Sequence, residues 1–265
     1  VVAPLNASGD QTGAQYNAGR VTMPDGFTEA YAQFVEMGWQ SLQHPEAFGG
    51  QGLPRSVGAA ATEMLNAANM SFALCPLLTD GAIEALLTAG SDAQKQTYLA
   101  NLTSGKWSGT MNLTEPQAGS DLALVKSKAV PNDDGTYAIT GTKIFITYGE
   151  HDMSENTVHL VLARTPDAPA GVKGISLFLV PKFLPDENGN PGVANTLKPI
   201  SLEHKLGLHG SPTCVMQYDG ATGWLVGKEH GGMAAMFTMM NNARLGVGGQ
   251  AVGAAEGAYQ HALTY

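Results

Sequence analysis

The feature that most constrains the fold of this chain is a change of hydrophobic pattern at Trp107, followed by a second change near Met233. Before Trp107, apolar residues recur every three to four positions, which is typical of helices. After it, short β-branched and aromatic runs alternate with turns rich in Gly, Pro and Asn, as in antiparallel barrels and sandwiches. Past Met233 the helical spacing returns.

These patterns predict an α+β fold with three parts. We expect an N-terminal all-α domain over residues 1–107, a central antiparallel β-barrel or sandwich domain over 108–230, and the first helix of a C-terminal helical domain over 231–265. Helices are predicted over 27–39, 56–68, 79–88, 91–102 (capped by Ser91) and 233–265. A loop is predicted over 1–25 and an apolar bridge over 72–76. Strands are predicted over 107–114, 124–130, 136–147, 157–164, 174–180, 192–199 and 213–219.

Composition excludes several classes of protein. The chain is 43% hydrophobic, enough to bury a core, and its net charge of −9 argues against nonspecific nucleic-acid binding. Cys75 and Cys214 are far apart in apolar surroundings, which favours buried free thiols in a reducing compartment, and we expect a cytoplasmic protein. No uninterrupted run reaches the ~18 apolar residues of a membrane span, and the first residues do not form a signal peptide. The histidines lack the spacing of a metal site, so no metal is predicted.

The stretch Met-Asn-Leu-Thr-Glu-Pro-Gln-Ala-Gly-Ser-Asp at 111–121 has the pattern of a strand end followed by a small, hydroxylated loop. Pro116 lacks an N–H donor and biases the residue before it toward extended geometry, so it ends the strand. Gly119 and Ser120 are small enough to bring backbone N–H groups close to an anionic or carbonyl-rich ligand. A plain polar turn is the alternative interpretation of this spacing.

A second stretch, Lys-Ile-Phe-Ile-Thr at 143–147, follows a strong hairpin signal at Asp133-Asp134-Gly135. Phe145 could offer a flat face to an aromatic ligand, and Thr147 a hydroxyl donor. Core packing of Phe145 and Ile146 is the alternative, which periodicity alone does not exclude.

The two stretches together resemble the paired signature of the acyl-CoA dehydrogenase family. Leu-Thr-Glu-x-x-Ala-Gly-Ser-Asp is followed about 25 residues later by an aromatic-Ile-Thr strand. The resemblance covers essentially the whole chain. Residues 140–152, 174–182 and 203–209 are similar to a long subgroup of fatty acyl-CoA dehydrogenases that includes the 3-methylmercaptopropionyl-CoA dehydrogenases. Two positions depart from the usual pattern: Asn112 replaces a small residue or Cys, and Phe145 replaces the common Trp.

The resemblance implies a bound FAD and a set of residues that contact it. In the family the first motif lies along the flavin ring and the aromatic-Ile-Thr triplet covers it, with donors to its polar edge and reactive nitrogen. The cofactor-binding residues implied are Met111, Leu113, Thr114, Gly119, Ser120, Phe145, Ile146 and Thr147. Contact with the acyl-CoA is implied for Ser120, Asn241 and Arg244. Met233, Met236, Phe237, Met239 and Met240 have the pattern of a core face, with an acyl tunnel as the alternative.

The resemblance also implies α,β-dehydrogenation of an acyl-CoA, a reaction that needs a carboxylate base. The family takes this base either from the residue before Arg244, which here is Ala243, or from the C-terminal domain; Glu256 matches neither position. We therefore assign no base. Because the chain starts without Met and stops inside a helical pattern, we expect an inactive fragment of a longer protein.

Several alternatives stay open at the level of sequence. An acyl-CoA oxidase differs in oxygen access, and a noncatalytic flavin-binding relative is compatible with Ala243. A β-barrel ligand-binding module without flavin would make the two motifs a coincidence. The partners implied are an acyl-CoA substrate, an electron-transfer flavoprotein or similar acceptor, and other copies of the protein in a homodimer or homotetramer.

Overall fold

A computed structural model describes residues 1–265, and it confirms the predicted α+β class with helices at both ends of a central sheet. The helices are α1 (Leu5–Thr12), α2 (Phe27–Glu36), α3 (Arg55–Ala89), α4 (Asp92–Ser104) and α5 (Gly232–Thr264). The strands are β1 (Gln15–Asn17), β2 (Arg20–Thr22), β3 (Trp107–Asn112), β4 (Lys128–Pro131), β5 (Tyr137–Thr147), β6 (Asn156–Ala163), β7 (Ser176–Pro181), β8 (Phe183–Pro185), β9 (Pro191–Ala194), β10 (Leu197–Leu202) and β11 (Thr213–Val226).

The N-terminal region differs from the prediction in two places. Residues 1–25 are not loop, because they contain α1 and the antiparallel pair β1–β2. The all-α prediction for residues 1–107 is therefore wrong for this small hairpin, which was too short to show a hydrophobic period. The predicted cap at Ser91 is confirmed, since Ser91 and Gln94 form a reciprocal capping box at the start of α4.

The two predicted helices 56–68 and 79–88 belong to the single span α3, which bends at Asn69. Asn69 has φ −161° and ψ 94°, outside the helical region, and its Oδ1 accepts a hydrogen bond from the Phe72 N–H at 3.1 Å. This is the geometry of a helix N-cap, so α3 is two helices joined at one residue. The apolar bridge predicted over 72–76 is wrong, because those residues, including Pro76, are helical.

By length and composition α3 would be long enough to cross a bilayer. Within the protein, 72% of its most apolar window is buried, and its two faces pack on α5 and β3. Gly109 of β3 lies directly against Ala82 of α3, where a Cβ would collide. Burial of this kind is what the core helix of a globular domain requires, and it accounts for the apolar composition of α3.

The central sheet has the order β3-β6-β7-β11-β5-β4, with β10 also paired to β11. The long strand β11 pairs with β5 over its first part and with β7 over its last three residues, so it joins two layers. Side chains from both layers meet in one buried cluster that includes Ile139, Phe178 and Met216. The sheet is mixed, because β3 and β6 pair in parallel. The β4–β5 hairpin lies between these two strands in the sequence.

Strand boundaries differ most where the backbone bends. The predicted strand 192–199 is two strands, β9 and β10, and the predicted strand 213–219 continues to Val226. The predicted strand 124–130 begins only at Lys128, after a short 3₁₀ turn at Leu122–Leu124. The division into domains at residues 107 and 230 stays a prediction.

Candidate functional site

The 111–121 segment leaves the end of β3 and turns sharply at Pro116. Glu115 and Ala118 exchange two backbone hydrogen bonds, of 3.0 and 2.9 Å, around Pro116 and Gln117. Beyond this turn Gly119 and Ser120 are exposed, and a Cβ added to Gly119 would meet no atom within 4 Å. The turn therefore presents a short stretch of accessible backbone and one hydroxyl beside the strand end.

The 143–147 segment is the end of β5, and it contains a β-bulge at Phe145. Lys143 pairs with Met216 and Ile146 with Cys214, so two residues of β5 oppose the single residue Val215 of β11. Phe145 adopts φ +60°, a conformation that is rare for a bulky residue. Bulges of this kind redirect a side chain, and they are common next to functional sites.

The bulge explains why Phe145 and Lys143 point to different sides of the strand. In a regular strand residues two apart share a face. Here the extra residue breaks that alternation: Lys143 is fully buried, Ile146 is 2% exposed, and Phe145 between them is 58% exposed. An aromatic ring is thus held at the surface by strained backbone, an arrangement that clusters at ligand-binding sites.

The structure brings the two predicted segments together, although 21 residues separate them in sequence. The Ile144 N–H donates to the Thr114 carbonyl at 2.9 Å, and the Thr110 hydroxyl donates to the Thr147 carbonyl at 2.6 Å. The end of β3 therefore runs beside the end of β5, and the exposed ring of Phe145 lies on the segment adjoining Thr114.

A buried ion pair joins the same two segments, and the sequence analysis missed it. Lys143 Nζ donates to Glu115 Oε1 at 2.8 Å and to the Leu113 carbonyl at 2.9 Å. The Glu115 carboxylate also accepts hydrogen bonds from Gln117, Lys126 and Ser127. The signal available in the sequence was an acidic residue inside the first motif and a lysine inside an otherwise apolar strand, two charges that burial would force to pair.

Burial and pairing shift the ionisation of both partners. Burial raises the pKa of Glu115, whereas the charge of Lys143 and the hydrogen-bond donors lower it. The lowering effects together outweigh burial, and the pKa of Glu115 falls to about 2. Burial lowers the pKa of Lys143 to about 8, and Glu115 offsets only part of that shift. Both groups are charged at neutral pH, and neither side chain is accessible to a substrate.

The predicted cofactor residues divide into two groups. The side chains of Leu113 and Ile146 lie in the core, so only their backbone is available to a ligand; Met111 is partly buried against the same core as Leu113. By contrast, the hydroxyls of Thr114, Ser120 and Thr147 make no hydrogen bond within the chain, while nearby Thr110 and Ser127 do. Three free hydroxyls and one exposed ring fit a planar ligand with a polar edge, such as a flavin.

Asn241 and Arg244 lie on the exposed side of α5. Arg244 donates to Asn241 Oδ1 at 2.8 Å, and its guanidinium lies 5.5 Å from the ring centre of Phe237. The structure does not bring them into contact with the 111–121 or 143–147 segments. α5 is nevertheless anchored beside that region, since its Met236 and Met239 are fully buried in the cluster that holds Leu113. For these two methionines the core interpretation is correct.

Asn112, the position that departs from the family pattern, points into the sheet. The Tyr218 hydroxyl donates to Asn112 Oδ1 at 2.8 Å and lies 3.0 Å from His159 Nδ1. Burial lowers the pKa of His159 to about 3, so this ring is neutral. The network is internal to the sheet and leaves the ligand-facing side of the strand unchanged. No group of three or more His, Cys, Asp or Glu side chains is arranged to hold a metal ion.

A largely apolar cavity lies elsewhere. It has a volume of about 350 Å³ and is lined by α2, the turn after it and α3. None of its lining residues belongs to the 111–121 or 143–147 segments. We place the candidate site at the two segments because exposed donors and a strained aromatic converge there.

Comparison with known proteins supports this choice. One family model, "Acyl-CoA dehydrogenase, N-terminal domain", matches residues 12–106, and a second, "Acyl-CoA dehydrogenase, middle domain", matches residues 110–221. The second match contains both segments of the candidate site. The 3-methylmercaptopropionyl-CoA dehydrogenase of Ruegeria pomeroyi is 65% identical over all of this chain, which covers 45% of that relative.

Two solved structures show the same fold. The butyryl-CoA dehydrogenase of Megasphaera elsdenii matches with a TM-score of 0.81 and 26% identity, over all of this chain and 64% of that one. A chain from the structure of an electron transferring flavoprotein of Acidaminococcus fermentans matches with a TM-score of 0.78 and 30% identity, over 89% of this chain and 59% of that one. The chain therefore spans about half the length of the curated relative and under two thirds of the solved ones. Because the two family models follow each other along most of its length, the chain belongs to the acyl-CoA dehydrogenase family.

Proposed function

We propose that the protein carrying this chain is an FAD-dependent acyl-CoA dehydrogenase, which oxidises the Cα–Cβ bond of an acyl-CoA thioester. The observation that carries the proposal is the adjacency of the two family motifs, with Phe145 exposed at a strained bulge and unpaired hydroxyls on both segments. The names of the matching relatives agree with this assignment.

Within the proposal each residue has a limited role. A bound flavin would supply the redox chemistry as the acceptor of a hydride. Thr114 and Thr147 would hold it through hydrogen bonds from their hydroxyls, and Phe145 would pack against it. The backbone at Leu113 and Ile146 fixes the spacing of these donors, and Met111 and Gly119 border them. Ser120 contacts both the cofactor and the acyl-CoA.

The substrate side of the proposal rests on α5. Arg244 and Asn241 are exposed and adjacent, and so are available to the polar part of an acyl-CoA. The proposal assigns no base to this chain. Position 243 is Ala, and the Glu256 carboxylate accepts a hydrogen bond from the Gln260 side chain on the exposed side of α5. The carboxylate that removes the α-proton comes, in this proposal, from a domain that follows α5.

The proposal extends to the partners of the protein and to its cellular role. An electron-transfer flavoprotein would accept the electrons, since one structural neighbour comes from the structure of an electron transferring flavoprotein. A role in fatty-acid β-oxidation, a cytoplasmic location and assembly into dimers or tetramers follow from the family resemblance alone.

The test is anaerobic reduction of the purified full-length protein. We expect a flavin absorbance spectrum that bleaches when a saturated acyl-CoA is added, since hydride transfer removes the oxidised chromophore. A matched 2,3-enoyl-CoA should leave the band unbleached. A flavin spectrum that no saturated acyl-CoA bleaches, across short, medium and long chains, would contradict the dehydrogenase proposal.

One observation favours a second candidate, a noncatalytic flavin-binding protein. Ala243 removes one of the two positions from which the family takes its base. In that case acyl-CoA would perturb the flavin spectrum without bleaching it. An oxidase would bleach and then recover its colour rapidly in air without an added acceptor.

A further inference from the structure

The buried charges of Glu115 and Lys143 are not explained by folding alone. A buried ion pair is seldom more stabilising than apolar side chains of the same volume, because desolvation offsets the attraction. Here the pair lies directly behind the candidate flavin site, with the lysine side chain 0% exposed and the glutamate side chain 3% exposed. Its partners come from three separate stretches of chain.

The geometry shows what the pair holds. Lys143 immediately precedes the bulge, and its ammonium reaches across to the Leu113 carbonyl, the last residue before Thr114. Glu115 immediately follows Thr114 and binds the N–H groups of Lys126 and Ser127. A Cβ at Gly141 would collide with the Ser127 hydroxyl, so the strand is shaped for this close approach. Thr114 and Phe145 therefore each lie beside one member of the pair.

We propose that Lys143 and Glu115 are positioning residues, which fix the distance between the 111–121 and 143–147 segments and keep Phe145 directed out of the core toward the flavin. The inference rests on the proposed function, because it concerns the same cofactor site. In this inference Lys143 stabilises the bulge, because its ammonium is bound to Glu115 and to the Leu113 carbonyl on the side of the strand opposite Phe145.

The first experiment measures FAD affinity of the full-length protein after the cofactor is removed and added back. Lys143→Met keeps the length of the side chain but removes its charge, and we expect FAD to bind at least about tenfold more weakly. Lys143→Arg keeps the charge and should recover most of the affinity. Lys182→Met is the matched control: it breaks a partly buried pair with Glu150 that touches neither segment, and it should leave FAD affinity unchanged.

A double variant separates positioning from stability. Lys143→Met alone leaves Glu115 buried and unpaired, and we expect the folded protein to be strongly destabilised. Glu115→Gln combined with Lys143→Met removes both charges and should restore much of that stability. If the pair positions the segments, FAD binding stays weak in the double variant and the flavin absorbance band is altered. If FAD affinity returns with stability, the pair is only structural and the inference is wrong.

A pH titration gives a second readout. Lys143 loses its proton as the pH rises through its pKa of about 8, so FAD affinity should fall above that pH. In Lys143→Arg, FAD affinity should not change with pH over the same range. The other charged side chains on the surrounding stretches are Asp121, Lys126, Lys128, Arg164 and Asp219. The Arg164 guanidinium is held by the carbonyls of Ala123, Val125, Pro169 and Gly171.

The outcomes distinguish this inference from the proposed function. A wild-type protein that binds FAD, together with a Lys143→Met variant that binds it equally tightly, overturns the inference alone. A wild-type protein that binds no FAD at any pH overturns both.

Discussion

At the scale of single residues, the candidate site depends on one backbone conformation that no sequence pattern revealed. The identities of Phe145, Thr147 and Thr114 were predicted as cofactor contacts, and the structure leaves all three with an accessible ring or an unpaired hydroxyl. The sequence did not show the bulge, because β-branched and aromatic residues indicate a strand without fixing its register. It also did not show that Ile146 faces the core, which the alternative of core packing had kept open.

Phe145→Gly tests the functional cost of that conformation. Glycine adopts φ +60° without strain, so we expect the free energy of unfolding to change by no more than about 1 kcal/mol. FAD affinity should nevertheless fall, because the ring proposed to pack against the cofactor is gone. Chemical denaturation and FAD titration of the same preparation measure both effects. Tyr137→Ala removes a ring packed on Phe178 inside the sheet. It should show the opposite result, a larger effect on the free energy of unfolding than on FAD affinity.

Glu115 gives a pH prediction at the same scale. Its folded-state pKa of about 2 lies below the ordinary carboxyl value of 4.5. The paired carboxylate therefore contributes stability that is fully present above pH 4.5 and is lost as the pH falls toward 2. We expect this acid-linked loss of unfolding free energy to be smaller in Glu115→Gln. If wild type and Glu115→Gln lose the same unfolding free energy as the pH falls, Glu115 does not form an ionised pair in the folded protein.

At the scale of elements, α3 shows how one buried polar residue shapes a helix. The sequence correctly predicted an interruption between residue 68 and residue 79, but the predicted bridge over 72–76 lies after the observed position. The interruption is at Asn69, whose Oδ1 caps the second half of α3 while its Nδ2 donates to the Val2 carbonyl. Pro76 lies inside that second half and does not end it.

Asn69→Ala should cost about 1 kcal/mol of stability, since it removes the cap acceptor at a buried helix start. Asn69→Ser retains an acceptor oxygen and should recover most of the loss. Thermal or urea unfolding measures the difference between the two variants. Equal stability of both variants would show that the cap at Asn69 does not stabilise the helix.

At the scale of the whole molecule, the hydrophobic pattern predicted the order of helical and strand regions. It did not predict which strands distant in sequence pair with each other. The parallel contact of β3 with β6 and the passage of β11 between two layers depend on tertiary packing. The same pairing brings Thr114 beside Ile144. The resemblance to a family supplied that proximity in advance; strand periodicity did not.

The central claim is that the 111–121 and 143–147 segments bind the flavin, and hydrogen exchange tests it most directly. Amide exchange would be measured on the full-length protein with and without FAD. We expect slower exchange in both segments, with α2 over Phe27–Glu36, beside the apolar cavity, as the internal reference that stays unchanged. Binding of FAD that protects other parts of the chain and leaves both segments unaffected would contradict the account.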